Sequence, residues 1–136
     1  MDFALDARTQ ELQEQLLGFM ADKIEPAEQV FHDQLEAMDD PFAWSTAPVL
    51  QELRAEARER GLWNLFLPGE EHGAGLSNLQ YAPLAEITGR AGHIAPPALN
   101  CSAPDTGNME VLAMFGTPEQ QQRWLTPLLD LSLIHI

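Results

Sequence analysis

Metal binding, proton transfer and phosphate cradling are the chemistries this chain's residue types could support, and the spacing of those residues argues against each. His32, His72, His93 and His135 stand apart, with no His or Cys at helical or zinc-finger ligand spacing. Glu70-Glu71-His72 reads as loop surface, and Asp39-Asp40 sits beside the breaker Pro41. Glu86 and Arg90, four residues apart, suit a helical ion pair or an interdomain contact better than a catalytic dyad. Gly69, Gly73 and Gly75 match neither the dinucleotide fingerprint nor the P-loop, and no P-loop lysine follows them. Trp44, Trp63 and Trp124 lack interleaved basic residues, which favours core anchoring over base stacking. The most distinctive polar run is Asn100 to Asn108, NCSAPDTGN. Its local reading is structural: Asp105 or Thr106 caps the helix that follows, Asn100 and Asn108 satisfy loop backbone groups, and Cys101 is a small buried side chain.

Composition sets the bounds within which these residues act. A chain of 136 residues with 45% apolar content fits one globular domain with its own core. A formal charge of −14, from 21 acidic and 7 basic residues, works against nucleic acid and anionic membranes as partners. The acids are distributed along helical stretches and read as solvated faces. One cysteine, Cys101, precludes an intrachain disulfide and suits a reducing cytoplasm. No segment reaches the roughly 18 to 20 consecutive apolar residues of a spanning helix. Asp2 and Asp6 occupy positions where a targeting signal would carry basic residues.

Helical patterns cover most of the sequence. Leu12, Leu16, Phe19, Met20 and Ile24 recur at three- and four-residue spacing, predicting an amphipathic helix from Asp6 to Ile24 that Pro26 interrupts or bends. A second helix is expected from Pro26 to Met38, carrying Val30, Phe31 and Leu35 and ended by Asp39-Asp40-Pro41. A third opens at Ser45 or Thr46, has Pro48 in its first turn and stops at Gly61. Leu62 to Ser77 reads as a connecting loop whose apolar half tucks under neighbouring helices. Ser77 and Gln80 have capping-box spacing for a helix to Gly89, though Pro83 predicts either a start near Tyr81 or a kink. After a break over Gly92 to Pro97, a short helix runs through Met109, Val111, Leu112 and Phe115 to Gly116. Thr117-Pro118-Glu119-Gln120 then combines an N-cap, a first-turn proline and a capping-box glutamine, predicting a helix to about Leu129.

Three of these stretches carry a family resemblance. Gly61 to Arg90 resembles the glycine-rich loop and following helix of the acyl-CoA dehydrogenase N-terminal domain, whose Glu-Glu-Leu-Gly-Arg-like ending here reads Ala85-Glu86-Ile87-Thr88-Gly89-Arg90. Gly116 to Leu125, followed by Pro127-Leu128-Leu129, is similar to that family's Gly-Thr/Ser-x-Glu-Gln-Lys-x-x-Trp/Tyr-Leu-x-Pro-Leu-Leu segment. Asn100 to Leu112 resembles the corresponding run of the branch containing family members ten and eleven. The resemblance extends through Asp130.

It implies an all-α fold: the helical N-terminal domain of the acyl-CoA dehydrogenase fold, residues 1–130, without the middle β domain and C-terminal helical bundle. The parent would be an FAD-dependent oxidoreductase that introduces the α,β double bond of an acyl-CoA, with the catalytic base and most flavin contacts in the other domains. The fragment would be inactive alone, the full-length enzyme a homo-oligomer, and electron-transferring flavoprotein the acceptor. Within this domain the resemblance places Asn100, Cys101, Pro104, Asp105, Thr106 and Asn108 at the wall of the acyl-chain pocket, against the local structural roles given above. The family sequence does not continue past Asp130 as Leu131 to Ile136 does. LSLIHI also spells an in-frame translation of a sequencing adapter, so residues 131–136 are expected to be a non-native read-through tail. Two alternatives remain open: a free-standing acidic helical interaction module, or a same-fold acyl-CoA oxidase or flavin monooxygenase. Apolar helical faces that pack on other domains should be exposed in this chain by itself.

Overall fold

A computed structural model describes residues 4–38 and 47–131, which contain helices and turns and no strand. The elements are α1 (Ala7–Phe19), α2 (Glu25–Glu36), α3 (Pro48–Glu59), α4 (Asn78–Thr88), a single turn α5 (Ala95–Ala98), α6 (Asp105–Phe115), α7 (Pro118–Gln120) and α8 (Thr126–Leu129). The tail from 132 onward and the Ser45 or Thr46 cap lie outside the described residues.

Of the interruption or bend expected at Pro26, the interruption does not occur. A five-residue π-helical turn, Met20–Ile24, joins α1 to α2 in one continuous rod, with the Glu25 amide donating to the Met20 carbonyl. Widening the turn immediately ahead of a proline relieves the clash between its ring and the carbonyl four residues back. The same solution recurs at the other end of the chain. Gln121–Leu125 forms a second π turn, the Thr126 amide donates to the Gln121 carbonyl, and Pro127 follows two residues after the turn. Pro83 is treated differently: α4 begins at Asn78 and carries it internally, so a start at Tyr81 is corrected. The Ser77–Gln80 capping box and the bond from the Tyr81 amide to the Ser77 carbonyl, 2.9 Å, fix that earlier start.

Several caps come from distant residues. The Val49 amide at the start of α3 donates to Gln34 Oε1 at 2.9 Å, a cap supplied by α2. Asp6 caps α1 by accepting from the Thr9 amide at 2.8 Å, and Gln80 Nε2 donates to the same carboxylate, tying the starts of α1 and α4 together. The expected side-chain cap of α6 is absent: neither Asp105 nor Thr106 caps it, and Pro104 precedes its first turn. Gly61 ends α3 with φ +68°, the left-handed conformation that glycine adopts without steric cost.

Packing produces two apolar clusters. The larger joins Leu16, Phe19, Ile24, Leu50, Leu53, Leu62, Leu84 and Ile94 from the helices α1 to α4 and their connections. The smaller, Leu67, Met109 and Leu125, is formed where α6 and the C-terminal rod close over the loop after α3. Of the apolar residues expected along α2, Phe31 is buried, together with Ala27, whereas Val30 and Leu35 are 45% and 43% exposed. Trp124, expected as a core anchor, is 36% exposed under the Arg123 guanidinium, 4.7 Å from its ring centroid. Trp44 lies outside the described residues.

Candidate functional site

The Asn100–Asn108 segment sits between the two clusters, and its residues divide between inside and outside. Asn100 is 3% exposed, with φ +55°. Its Nδ2 donates to Asn64 Oδ1 at 2.7 Å and reaches the carbonyls of Leu128 at 3.4 Å and Leu129 at 3.3 Å. Asn64 is itself buried and left-handed, φ +58°, and its amide donates to the Leu99 carbonyl at 3.3 Å. Asparagine tolerates this conformation better than other non-glycine residues. The two side chains therefore form a polar bolt through the middle of the domain.

That bolt belongs to a larger arrangement. The last carbonyls of α8 have no partner within the helix. Asn100 reaches those of Leu128 and Leu129, Trp63 Nε1 donates to Leu129 at 2.9 Å, and Arg58 Nη2 donates to Asp130 at 3.1 Å. Residues distant in sequence, from α3 and the loops, thus cap the C-terminal rod. Asn64 and its role were missed in the sequence, where only its tolerance of positive φ hinted at a special backbone.

Cys101 continues inward. Its amide donates to the Pro96 carbonyl at 2.9 Å, and its side chain meets Tyr81 at a cavity of about 10 Å³ also lined by Leu16, Leu62, Leu65, Leu84, Thr88 and Leu99. That space is no larger than one water needs. Burial pushes the Cys101 thiol up to about 11, opposed by a hydrogen bond with Tyr81, and burial likewise raises the Tyr81 hydroxyl. Neither group ionises near neutral pH.

From Pro104 the segment turns outward. Thr106 and Asp105 are half-buried, and the Thr106 amide donates to the Ser102 carbonyl at 3.3 Å. Pro104 and Asn108 are exposed, and helical spacing puts them on one face with Gly107, Val111, Met114 and Phe115. Val111, Met114 and Phe115 are 59%, 61% and 75% exposed, while Met109 on the opposite face is fully buried. Hence α6 is apolar on both sides: one side closes the smaller cluster, and the other forms a bare stripe that begins at the exposed half of the polar segment.

Elsewhere the polar residues read as surface or scaffold. Among the described residues Glu86 and Arg90 are exposed and form no ion pair with each other. His32, His72 and His93 lie beside Glu36, Glu71 and Glu28 respectively, and His135 is outside the described residues. Gly73 serves close packing, since a Cβ there would sit 2.1 Å from the Leu67 carbonyl oxygen, while Gly69 and Gly75 turn the chain with φ +84° and +66°. Such a loop folds onto itself and offers no cradle for the pyrophosphate of a dinucleotide.

With this geometry in place, comparison with known proteins is informative. The model of the acyl-CoA dehydrogenase N-terminal domain matches residues 6–132. The chain is 50% identical over 130 residues to FadE2 of Mycobacterium tuberculosis, named a probable acyl-CoA dehydrogenase, covering 96% of this chain and 31% of that protein. It is 44% identical over 131 residues to mouse acyl-CoA dehydrogenase family member 10, covering 93% of this chain and 12% of that protein. A solved structure assigned as an acyl-CoA dehydrogenase from Mycobacterium abscessus superposes with a TM-score of 0.84 at 46% identity, over 95% of this chain and 33% of that one. The chain therefore spans a third or less of the length of these relatives.

Proposed function

Because the chain belongs to the acyl-CoA dehydrogenase family, as its helical N-terminal domain, we propose that it is one wall of an FAD-dependent enzyme that desaturates acyl-CoA thioesters at the α,β position. Catalysis needs the parent's other domains; the chain alone is inactive. FAD, bound there, supplies the hydride acceptor. This chain's contribution is shape and exclusion of water. Pro104, Asp105, Thr106 and Asn108 present the rim of the acyl pocket, Asn100 and Cys101 hold that rim against the core, and the stripe of Val111, Met114 and Phe115 packs on or lines what the other domains bring. We further assign residues 1–130 to the native domain and 131–136 to a read-through tail. The reading includes a cytoplasmic, homo-oligomeric enzyme that passes its electrons to electron-transferring flavoprotein.

The observation that carries this proposal is the apolar stripe on α6, 59–75% exposed in a chain of charge −14, directly continuous with the polar segment. Bare apolar surface of this kind marks an interaction site. The test is to express the parent gene in full, measure flavin content, and follow bleaching of the flavin absorbance by saturated acyl-CoAs. Stoichiometric flavin bleached without oxygen consumption is expected, with electron-transferring flavoprotein accelerating turnover. Oxygen consumption with peroxide release would reassign the chemistry to an oxidase, and a parent protein without flavin would overturn the enzyme assignment altogether.

A further inference from the structure

The described cations of this acidic chain are mostly placed against carboxylates, carbonyls or rings, and two of them, on α3, also share a cavity. Lys23 and Arg60 share Glu56, at 3.3 and 2.7 Å, and Arg8 donates to the Ala74 carbonyl. Arg54 and Arg58, one turn apart on α3, both line a single open cavity of about 260 Å³ together with Gln51, Ala55, Asp130 and Leu131. Neither has a carboxylate within ion-pair distance among the described residues. Each is held by a neutral acceptor: Arg54 Nε donates to the Pro97 carbonyl at 3.1 Å, and Arg58 Nη2 to the Asp130 carbonyl at 3.1 Å. Arg58 is also stacked on Trp63, 4.2 Å from the ring centroid.

These anchors fix both guanidiniums yet neutralise neither charge. A guanidinium carries five N–H donors, and each of these two spends one in the bonds just described. Burial, and secondarily the Arg58 charge, pull the Arg54 guanidinium below its ordinary value, so the pair is held together at a cost that an anion would offset. The lining contains two cations against the one carboxylate of Asp130. Two forks with spare donors suit a tetrahedral dianion with several acceptor oxygens; a single carboxylate would be satisfied by one arginine alone.

We infer that the Arg54–Arg58 cavity is an anion site that takes a phosphate group, on the face formed by α3 and the end of α8 and built from different residues than the polar segment and the α6 stripe. Bound phosphate would bridge the two guanidiniums and lock the cap that Arg58 places on the C-terminal rod.

The experiment uses the full chain and inorganic phosphate as probe. Arginine Nε–Hε resonances are followed through titrations with phosphate, acetate and chloride at constant ionic strength. Saturable shifts confined to Arg54 and Arg58 are expected, with a millimolar midpoint, and acetate should bind about tenfold more weakly. Arg54→Gln and Arg58→Gln should each weaken phosphate binding by about tenfold or more. If either variant fails to fold, the titration of the unaltered chain decides alone. Equal shifts with chloride, equal affinity for acetate, or phosphate shifts centred on Arg90 or Arg123 would each overturn the assignment.

Discussion

Replacing Asn100 by alanine tests the view that the polar segment is held by an internal bolt. The substitution removes Nδ2 from Asn64 and from the Leu128 and Leu129 carbonyls. The lost bond is worth about 1 kcal/mol net, and leaving Asn64 Oδ1 buried without its donor adds about 1–3 kcal/mol. Alanine at φ +55° adds roughly 1 kcal/mol of backbone strain that asparagine largely avoids. The expected loss is about 3–5 kcal/mol, a large fraction of the stability of a domain this size. Urea unfolding followed by far-ultraviolet circular dichroism, with a slope near 2 kcal/mol/M, should show the midpoint falling by about 2 M. Asn100→Gly loses the same bonds without the strain and should recover about 1 kcal/mol. In the Asn64→Ala/Asn100→Ala double variant the losses should fall short of additivity by about 1–2 kcal/mol. A loss for Asn100→Ala below about 1 kcal/mol, or a glycine variant no better than the alanine one, would refute the bolt.

Other consequences are measurable on the same chain. Cys101, raised to about 11 by burial, should react with a disulfide reagent at pH 8 at least about tenfold more slowly than a free thiol of ordinary pKa, and urea should abolish the difference. Full reactivity in the folded chain would contradict its placement. Thr117→Ala removes the hydroxyl that accepts the Gln120 amide at 3.3 Å in the capping box, and should cost about 1 kcal/mol in the same unfolding assay; an unchanged midpoint would mean that the cap contributes nothing. Asp6 is held below the usual aspartate value first by the Thr9 amide and then by Gln80. A depressed folded value means that its stabilisation is complete above the unfolded pKa near 4 and disappears as pH falls through the lower folded value. Asp6→Asn should therefore flatten the loss of stability below pH 4, and parallel acid-unfolding curves for the two proteins would rule out this linkage.

The elements whose signals are local were readable in sequence. Ser77–Gln80 and Thr117–Gln120 form the expected capping boxes, Gly61 takes the left-handed stop, and the chain is helical where periodicity indicated. The elements set by partners were not. Pro26 implied an interruption or a bend because the rule for proline assumes i→i−4 bonding, and no local signal announces that a π turn will absorb the ring. Val49 takes its cap from Gln34, fifteen residues away, and α8 takes its caps from Arg58, Trp63 and Asn100. Tertiary caps of this kind leave no spacing to detect. Val30 and Leu35 show the same limit from the other side, since periodicity states that a face is apolar without saying what covers it.

The polar segment divides by position along the chain into a buried part and an outward-facing part. Residues up to Cys101 point into the domain: Asn100 joins the two clusters, and Cys101 seals against Tyr81. Beyond Pro104, helical rotation carries every third or fourth side chain outward, so Asn108 shares its face with Val111, Met114 and Phe115, while Met109 closes the smaller cluster behind them. The segment and α6 thus have a fixed back and a free front. The fixed back also explains why so many caps converge on α8. The smaller cluster has three fully buried residues, Leu67, Met109 and Leu125, with half-buried neighbours from the loop after α3, from α6 and from α8 packed against them. The bonds from Arg58, Trp63 and Asn100 tie the end of the C-terminal rod to α3 and the loops, and Gln121 Nε2, donating to the Leu112 and Ala113 carbonyls at 3.2 Å, ties its start to α6.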